Sequence, residues 1–166
     1  MEVNSRSILY MIAKRFGLNR STTEERLKLQ KIVYLLQACG MQFGYGYTWY
    51  KYGPYSQDLV YDAYAVLNSE RGKFEEGTKG WEFSENTNRR LAEFQKQFAD
   101  VLEDAVKLEL LASVHFLRKE CDEINLDEDK FIKYFKKRKP KLFNDSLPNE
   151  SDIRRTLNIC KSINSN

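Results

Sequence analysis

Apolar residues recur at helical spacing in three segments near the start of the chain. The segments span residues 5–16, 21–40 and 56–72, and the second leaves only one polar stripe. Thr22 and Ser56 are suited to cap the second and third segments, because their hydroxyls can accept from free amides of the first turn. The pattern predicts three amphipathic helices.

Two other stretches alternate with the period of a strand. Aromatic residues alternate with small or polar ones over 43–52, and 73–83 contains two short alternating runs around Gly77 and Gly80. The second stretch predicts a β-hairpin. The order helix, helix, strand, helix, hairpin is that of a winged helix, with 54–70 at the position of the recognition helix and 73–83 as the wing.

The remainder of the chain has helical spacing throughout. Residues 85–120 form either one long helix or two that break near Asp104, and 108–117 is apolar nearly all round. A short basic helix and a last helix follow. We therefore expect a mainly α (α+β) protein in which a winged-helix-like part, 1–84, and a helical part, 85–166, pack as a single compact domain.

Composition narrows the class of protein. The 166 residues are 42% apolar and 31% charged, which supports a folded core, and 27 basic against 24 acidic residues leave a net charge of only +3. No apolar run approaches the roughly 20 residues of a membrane span, and the amino terminus lacks a signal-peptide pattern. The expectation is a cytoplasmic protein with no membrane partner and reduced structural thiols.

Catalytic and cofactor motifs are absent from the sequence. It contains no P-loop, no Gly-x-Gly-x-x-Gly and no Gly-x-Ser-x-Gly, so we expect no cofactor. His115 is the single histidine, and no CxxC pair is present, which argues against a metal site. Because His115 lies in the most apolar segment, we interpret it as a core residue, and we assign no catalytic residue.

One combination of motifs resembles a known family. It pairs a Lys-Leu-Gln-Lys helix with a Gly-Pro after an aromatic strand, in the segments Lys28-Leu-Gln-Lys31-Ile-Val-Tyr34 and Tyr50-Lys-Tyr52-Gly53-Pro54-Tyr55-Ser56. The pattern resembles the uncharacterised YwgA-like family and the related Panacea domain of SocA-type antitoxins. The antitoxin branch neutralises toxins by protein contact, so the resemblance implies a protein partner such as a toxin or defence effector.

The aromatic stretch supplies the first candidate site. Eight aromatic residues fall within positions 45–64, and such side chains can anchor a partner or pack in a core. We expect about half of them to be packed and the exposed remainder to lie near 52–56. Tyr52, Tyr55 and Ser56 are the predicted binding residues here.

Lys28 and Lys31 supply the second candidate site. They lie on the polar stripe of the second helix, where they could bind an anion or an acidic partner beside the amino terminus of the third. The alternative is that they are solvated, or paired with Glu24 and Glu25. The resemblance favours the first reading, because the family pattern carries the same two lysines.

A reversal of charge supplies the third candidate site. Residues 122–129 contain five acids, and 130–141 contain seven bases and no acid. Phosphate contacts through this helix are one hypothesis. The other is a solvated helix that the preceding acids neutralise. The candidate nucleic-acid contacts are Lys133, Lys136, Lys137 and Arg138.

These observations favour a non-enzymatic binding or adaptor module of the toxin–antitoxin or phage-defence type. The third helix carries two acids and no base on its polar positions, whereas a major-groove helix usually carries Arg or Lys. The alternatives are a DNA-binding transcriptional regulator and an enzyme acting on a nucleotide or nucleic acid. Such an enzyme would use Lys31, Tyr52, Ser56 and Asp58.

Overall fold

The computed structural model describes residues 4–122 and 126–163. Within these ranges the protein is mainly α-helical, with one small antiparallel hairpin. In chain order the elements are α1 (Ser5–Arg15), α2 (Thr23–Ala38), β1 (Thr48–Tyr50), β2 (Gly53–Tyr55), α3 (Gln57–Tyr64), a π-helical stretch (Ala65–Ser69), α4 (Arg71–Gly77), α5 (Glu85–Gln97), α6 (Ala99–Leu102), α7 (Ala105–Cys121), α8 (Glu128–Arg138) and α9 (Glu150–Ile163).

Helix α7 lies at the centre of the molecule. It packs against α2, α9 and β2, and most of its residues are buried. The core is continuous from α1 through α9, so the parts before and after residue 84 share one hydrophobic cluster. No helix in the described ranges is long and apolar enough to cross a membrane.

Side-chain caps set several helix starts. Thr22 caps α2 and Ser56 caps α3 as predicted, each accepting a hydrogen bond from a first-turn amide. The open question over 85–120 is decided by Asp104, which accepts from the amides of Val106 and Lys107 and begins α7. The segment is therefore divided into α5, α6 and α7 rather than forming one helix.

The extended segment before α3 keeps its predicted alternation. Over 41–50 every second side chain is partly buried against the core and every other one is exposed. Only Thr48–Tyr50 forms ladder hydrogen bonds, because its partner, Gly53–Tyr55, is three residues long. Gly53 closes the two-residue connection with φ +83°, a left-handed conformation that favours glycine.

The predicted hairpin at 73–83 is wrong. Residues Arg71–Gly77 form helix α4, and the segment 81–83 has no regular secondary structure. Phe74 explains the difference: it is buried, and its ring stacks on Tyr10 of α1 at 6.3 Å, so α4 packs as a helix against α1. Gly72 accordingly lies inside a helix rather than ending α3. The hairpin precedes α3, and the winged-helix arrangement is not confirmed.

Candidate binding surface

The β1–β2 hairpin rests on three buried polar side chains. Gln30 donates to the Ser56 carbonyl at 2.8 Å and accepts from the Ser56 amide at 3.1 Å. Lys31 Nζ donates to the Pro54 carbonyl at 2.6 Å, and Lys139 Nζ donates to the Lys51 carbonyl at 2.7 Å. We call Gln30, Lys31 and Lys139 the hairpin latch, because together they bind the backbone of the hairpin and of the residue that directly follows it.

Charge is concentrated beneath the latch. Lys31, Lys139 and Glu109 are each exposed by 2% or less, and Lys139 forms an ion pair with Glu109. The other Glu109 oxygen accepts from the Phe143 amide at 2.6 Å. Burial lowers the pKa of Lys31 to about 7 against the attraction of Glu109, and it also lowers the pKa of Lys139. Glu109 thus forms an ion pair with Lys139 and attracts Lys31 electrostatically.

The predicted site residues of the first half do not come together at one site. Ser56 is buried as the cap of α3, and Lys31 is occupied by the Pro54 carbonyl. Lys28 instead donates to the carbonyl of Glu103 at 3.3 Å, so the two lysines point to different places. Neither forms an ion pair with Glu24 or Glu25 in the described ranges.

Tyr52 lies in the hairpin turn and Tyr55 is the last residue of β2, and both are partly buried. Tyr52 meets Phe143 edge to face at 5.3 Å, and the Tyr55 ring lies 5.1 Å from that of Tyr50. Asp58 is exposed on the first turn of α3. The four groups of the enzyme hypothesis therefore divide between the protein interior and its surface, with Lys31 and Ser56 engaged in holding backbone.

Three other tyrosines are the exposed part of the aromatic stretch. Tyr50, Tyr61 and Tyr64 are 63%, 62% and 51% exposed, and Gln57 donates to the Tyr61 hydroxyl at 3.2 Å. We call Tyr50, Tyr55, Tyr61 and Tyr64 the tyrosine surface. Of the binding residues predicted in this stretch, Tyr55 belongs to this surface, whereas Tyr52 and Ser56 do not. Two signals in the sequence could have identified these exposed tyrosines. Alternation along the strand places Tyr50 on the face opposite to the inward Trp49. Helical spacing places Gln57, Tyr61 and Tyr64 on one face of the following helix.

The remaining aromatics of this stretch are structural. Tyr45 donates to Asp62 at 2.8 Å, and Asp62 also pairs with Arg6 at 2.6 Å. The Tyr47 ring meets that of Tyr34 at 5.1 Å. Burial raises the pKa of both Tyr45 and Tyr47 above its usual value, so their hydroxyls stay protonated.

The carboxyl end of α8 is a second charged surface. Lys133, Lys136 and Lys137 are exposed and form no ion pair within 4–122 and 126–163. Arg138 lies over the rings of Trp49 and Tyr134, at 5.6 and 5.5 Å. We call Lys133, Lys136, Lys137 and Arg138 the basic end of α8.

The acids before α8 do not neutralise this basic end. Asp122 pairs with Arg118, and Asp127 caps α8 and pairs with Lys130. Arg154 of α9 binds both Glu128 and Asp129, in addition to Glu150 of its own helix. The acids of this segment within the described ranges are thus engaged at the carboxyl end of α7 or at the amino end of α8. Glu123 lies outside those ranges.

The basic end of α8 adjoins the hairpin. Lys139 binds the Lys51 carbonyl at the hairpin turn, and Arg138 covers the inward ring of Trp49. Lys51 itself is exposed, with its ammonium 5.0 Å from the Tyr52 ring. The basic end of α8 therefore contacts the hairpin, through Arg138 on the face of β1 opposite to the exposed Tyr50.

Other reactive side chains are held in the core. His115 is buried, and its Nδ1 lies 2.8 Å from the Tyr34 hydroxyl, which confirms its interpretation as a core residue. Cys160 is buried in α9, and burial raises the pKa of its thiol to about 12. In the described part of the chain, no three His, Cys, Asp or Glu side chains gather as metal ligands.

Comparison with known proteins adds no relative. No family model matches the chain, and neither the curated proteins nor the solved structures contain a match to it. The resemblance to the YwgA-like and Panacea groups thus rests on the motifs of residues 28–34 and 50–56.

Proposed function

We propose that the protein is a non-enzymatic binding module that recognises another protein through the tyrosine surface. One observation carries the proposal: of the four exposed large hydrophobic side chains in the described ranges, three are tyrosines of this surface. Tyrosine offers a large, rigid contact area with a polar tip, and it is enriched among the residues that dominate binding energy. More than half of each of these three side chains is open to solvent and so available to a partner.

The hairpin latch supports this proposal. Three buried side chains fix the backbone that carries Tyr50 and Tyr55, so the surface is formed before a partner arrives. A preformed surface avoids the entropic cost of ordering a loop on binding. The basic end of α8, which contacts the hairpin through Arg138, favours a partner that carries acidic groups.

The setting proposed for this module is toxin–antitoxin or phage defence, with a toxin or defence effector as the partner. The motif resemblance supports it. The winged-helix-like arrangement is a further proposal, in which α3 takes the position of the recognition helix. The polar face of α3, which carries Asp58 and Asp62 and no base, supports protein contact over reading of the major groove.

Affinity capture from the native host tests the proposal. The wild-type chain is compared with a Tyr50→Ala/Tyr61→Ala variant, whose substitutions remove exposed rings and should leave the circular dichroism spectrum unchanged. We expect a protein that the wild type retains and that the double variant loses by at least about tenfold, as truncation of binding hot spots predicts.

Lys96→Ala on the exposed face of α5 is the matched control and should retain the same protein. Identical retention by wild type and double variant would overturn the proposal. So would the absence of any protein that the double variant loses.

A nucleic acid is the second candidate partner. The observation that favours it is the set of three exposed lysines on α8, none of them in an ion pair in the described ranges, on the same helix as the partly buried ring of Tyr134. Single strands bind to cations and stacking side chains together. The test is fluorescence anisotropy of labelled oligo(dT) and of a random duplex at two salt concentrations.

A Lys136→Gln/Lys137→Gln/Arg138→Gln variant should bind more weakly. For a single strand the salt slope should fall by about 0.7 for each phosphate that the variant no longer neutralises. Lys96→Gln is the control of equal chemistry away from α8. Unchanged affinity and slope in the triple variant would exclude the basic end of α8 as the binding surface.

A further inference from the structure

A cavity unrelated to the tyrosine surface opens beside α1. Its volume is about 480 Å³, within the range of small-molecule sites. The walls come from α1, from the segment after α2 and from the start of α5. The apolar lining residues are Ile8, Met11, Ile12, Met41, Phe43, Trp81 and Phe83.

These apolar side chains are left partly open to solvent. All but Ile12 are only partly buried, although the core lies directly behind them. Two methionines and three aromatic rings form an adaptable apolar wall, because the unbranched thioether can rearrange around a ligand. Exposed apolar surface of this kind, in a concave site, is what a buried apolar ligand would cover.

Two smaller cavities adjoin this one. A second cavity of about 400 Å³ shares Met11, Trp81 and Phe83 with the first, and a third of about 220 Å³ shares Met41 and Arg90. The three lie in sequence along one side of α5. A row of adjoining cavities suits an extended aliphatic chain better than a compact ring system.

One cation lines the cavity. Arg90 projects from α5, donates to the Cys39 carbonyl at 3.0 Å, and forms no ion pair within the described residues. A guanidinium has five donors in a fixed fork, so one hydrogen bond leaves donors for a carboxylate. Glu82 is the acid among the lining residues, and its side chain is exposed.

We propose that this cavity binds an amphiphilic small molecule whose aliphatic chain lies against the methionine and aromatic wall and whose carboxylate pairs with Arg90. A fatty acid of medium length has this chemistry. The inference does not depend on the proposed partner of the tyrosine surface, because the cavity shares no residue with that surface.

The fluorescence of Trp81 reports occupancy directly. The chain has two tryptophans, so the measurement uses a Trp49→Phe background, in which Trp81 is the remaining one. The probe is sodium decanoate below its micellar concentration, with 1-decanol as the uncharged analogue. We expect a saturable change with decanoate, a rise in melting temperature, and affinity for decanol about tenfold weaker, as removal of a charge-assisted hydrogen bond predicts.

Variants of Arg90 distinguish the effect of its charge on binding from its effect on stability. Arg90→Gln should reduce affinity for decanoate to that for decanol, whereas Arg90→Lys should keep the preference even if the missing hydrogen bond to Cys39 lowers stability. Glu82→Gln should bind decanoate as well as the parent or more tightly. Ile8→Phe should weaken both probes by filling the cavity.

Three results would overturn the proposal. They are the absence of saturable binding in the Trp49→Phe parent, equal affinity for decanoate and decanol, and disappearance of the decanoate preference in Arg90→Lys while that variant remains folded.

Discussion

Gly53 shows how closely two elements can approach when a side chain is absent. Its left-handed backbone lies on α7, and a Cβ at this position would overlap the hydroxyl of Ser113. That hydroxyl is fully buried and has no hydrogen-bond partner among the described residues. Position 53 therefore requires glycine for conformation and for space.

Gly53→Ala should destabilise the protein by about 2–5 kcal/mol. The left-handed conformation costs a residue with a Cβ about 1–2 kcal/mol, and overpacking adds about 1–3 kcal/mol. Ser113→Ala alone should be neutral or stabilising by up to about 1 kcal/mol, because it removes a buried hydroxyl without a partner among the described residues. Urea denaturation of the purified variants measures both.

The double variant is the decisive control. Because removal of the Ser113 hydroxyl makes room for the new methyl group, Gly53→Ala should cost less in the Ser113→Ala background. Only the conformational strain should remain there. Strictly additive costs would show that the two residues do not compete for the same space.

Lys31 should make stability depend on pH. Its pKa falls from 10.5 in the unfolded chain to about 7 in the folded protein, so between these values the unfolded chain binds more protons. Stability gained from this group therefore rises with pH above about 7. Relative to Lys31→Met, the wild type should gain up to about 1.4 kcal/mol per pH unit between pH 7 and 8.5, measured by urea denaturation.

Taking the difference from Lys31→Met cancels the titration of all other groups. Lys28→Met, the same substitution one turn earlier on α2, is the matched control and should keep the wild-type dependence. A parallel pH dependence in wild type and Lys31→Met would contradict the prediction.

At the scale of the elements, Asp104 decides where α7 begins. Its carboxylate accepts from two amides of the first turn. Asp104→Ala should cost about 1 kcal/mol, the usual loss for an N-cap, whereas Asp104→Asn should cost only a few tenths. Asp100→Ala in the neighbouring α6 makes the same chemical change away from this cap, and thermal denaturation should show the larger shift for Asp104→Ala.

Local signals predicted the elements best. Helix starts at Thr22 and Ser56 depend on a hydroxyl and an amide three residues away, and both lie in the sequence pattern itself. The hairpin predicted at 73–83 fails because Phe74 acquires a partner, Tyr10, from another helix. The alternation of apolar and polar residues over a few positions favours a strand only weakly, and the contact between Phe74 and Tyr10 stabilises the helix instead.

The hairpin latch depends on contacts far apart in sequence. Lys31 meets a carbonyl 23 positions later, and Lys139 meets one 88 positions earlier. Helical periodicity places Lys31 on a polar stripe, which fits a solvated lysine equally well. The pattern therefore indicates that Lys31 is a candidate binding residue. It does not show that Lys31 donates to the Pro54 carbonyl.

At the scale of the whole molecule, Glu109 joins distant parts of the chain. It lies on α7, pairs with Lys139 after α8 and attracts Lys31 of α2. Glu109→Gln should destabilise the protein by about 3–5 kcal/mol, because it leaves buried Lys139 without its ion-pair partner and removes the attraction that favours the charged form of Lys31. Urea denaturation measures the loss.

Glu120→Gln, an exposed change on the same helix, should cost little. A Glu109→Gln/Lys139→Met variant should recover part of the loss, since it removes the uncompensated charge of Lys139. Equal stability of Glu109→Gln and Glu120→Gln would contradict the electrostatic role of Glu109.

The uneven distribution of charge along α8 would orient the protein towards a charged partner before the two make contact. Arg154 engages Glu128 and Asp129 at one end, while Lys133, Lys136 and Lys137 stay unpaired towards the other in the described part of the chain. An approaching acidic body exerts a torque on such a charge distribution and turns the molecule so that the lysines lead. For the proposed acidic partner, productive encounters should therefore be more frequent at low ionic strength, whereas substitution of the tyrosines should mainly shorten the lifetime of the proposed complex.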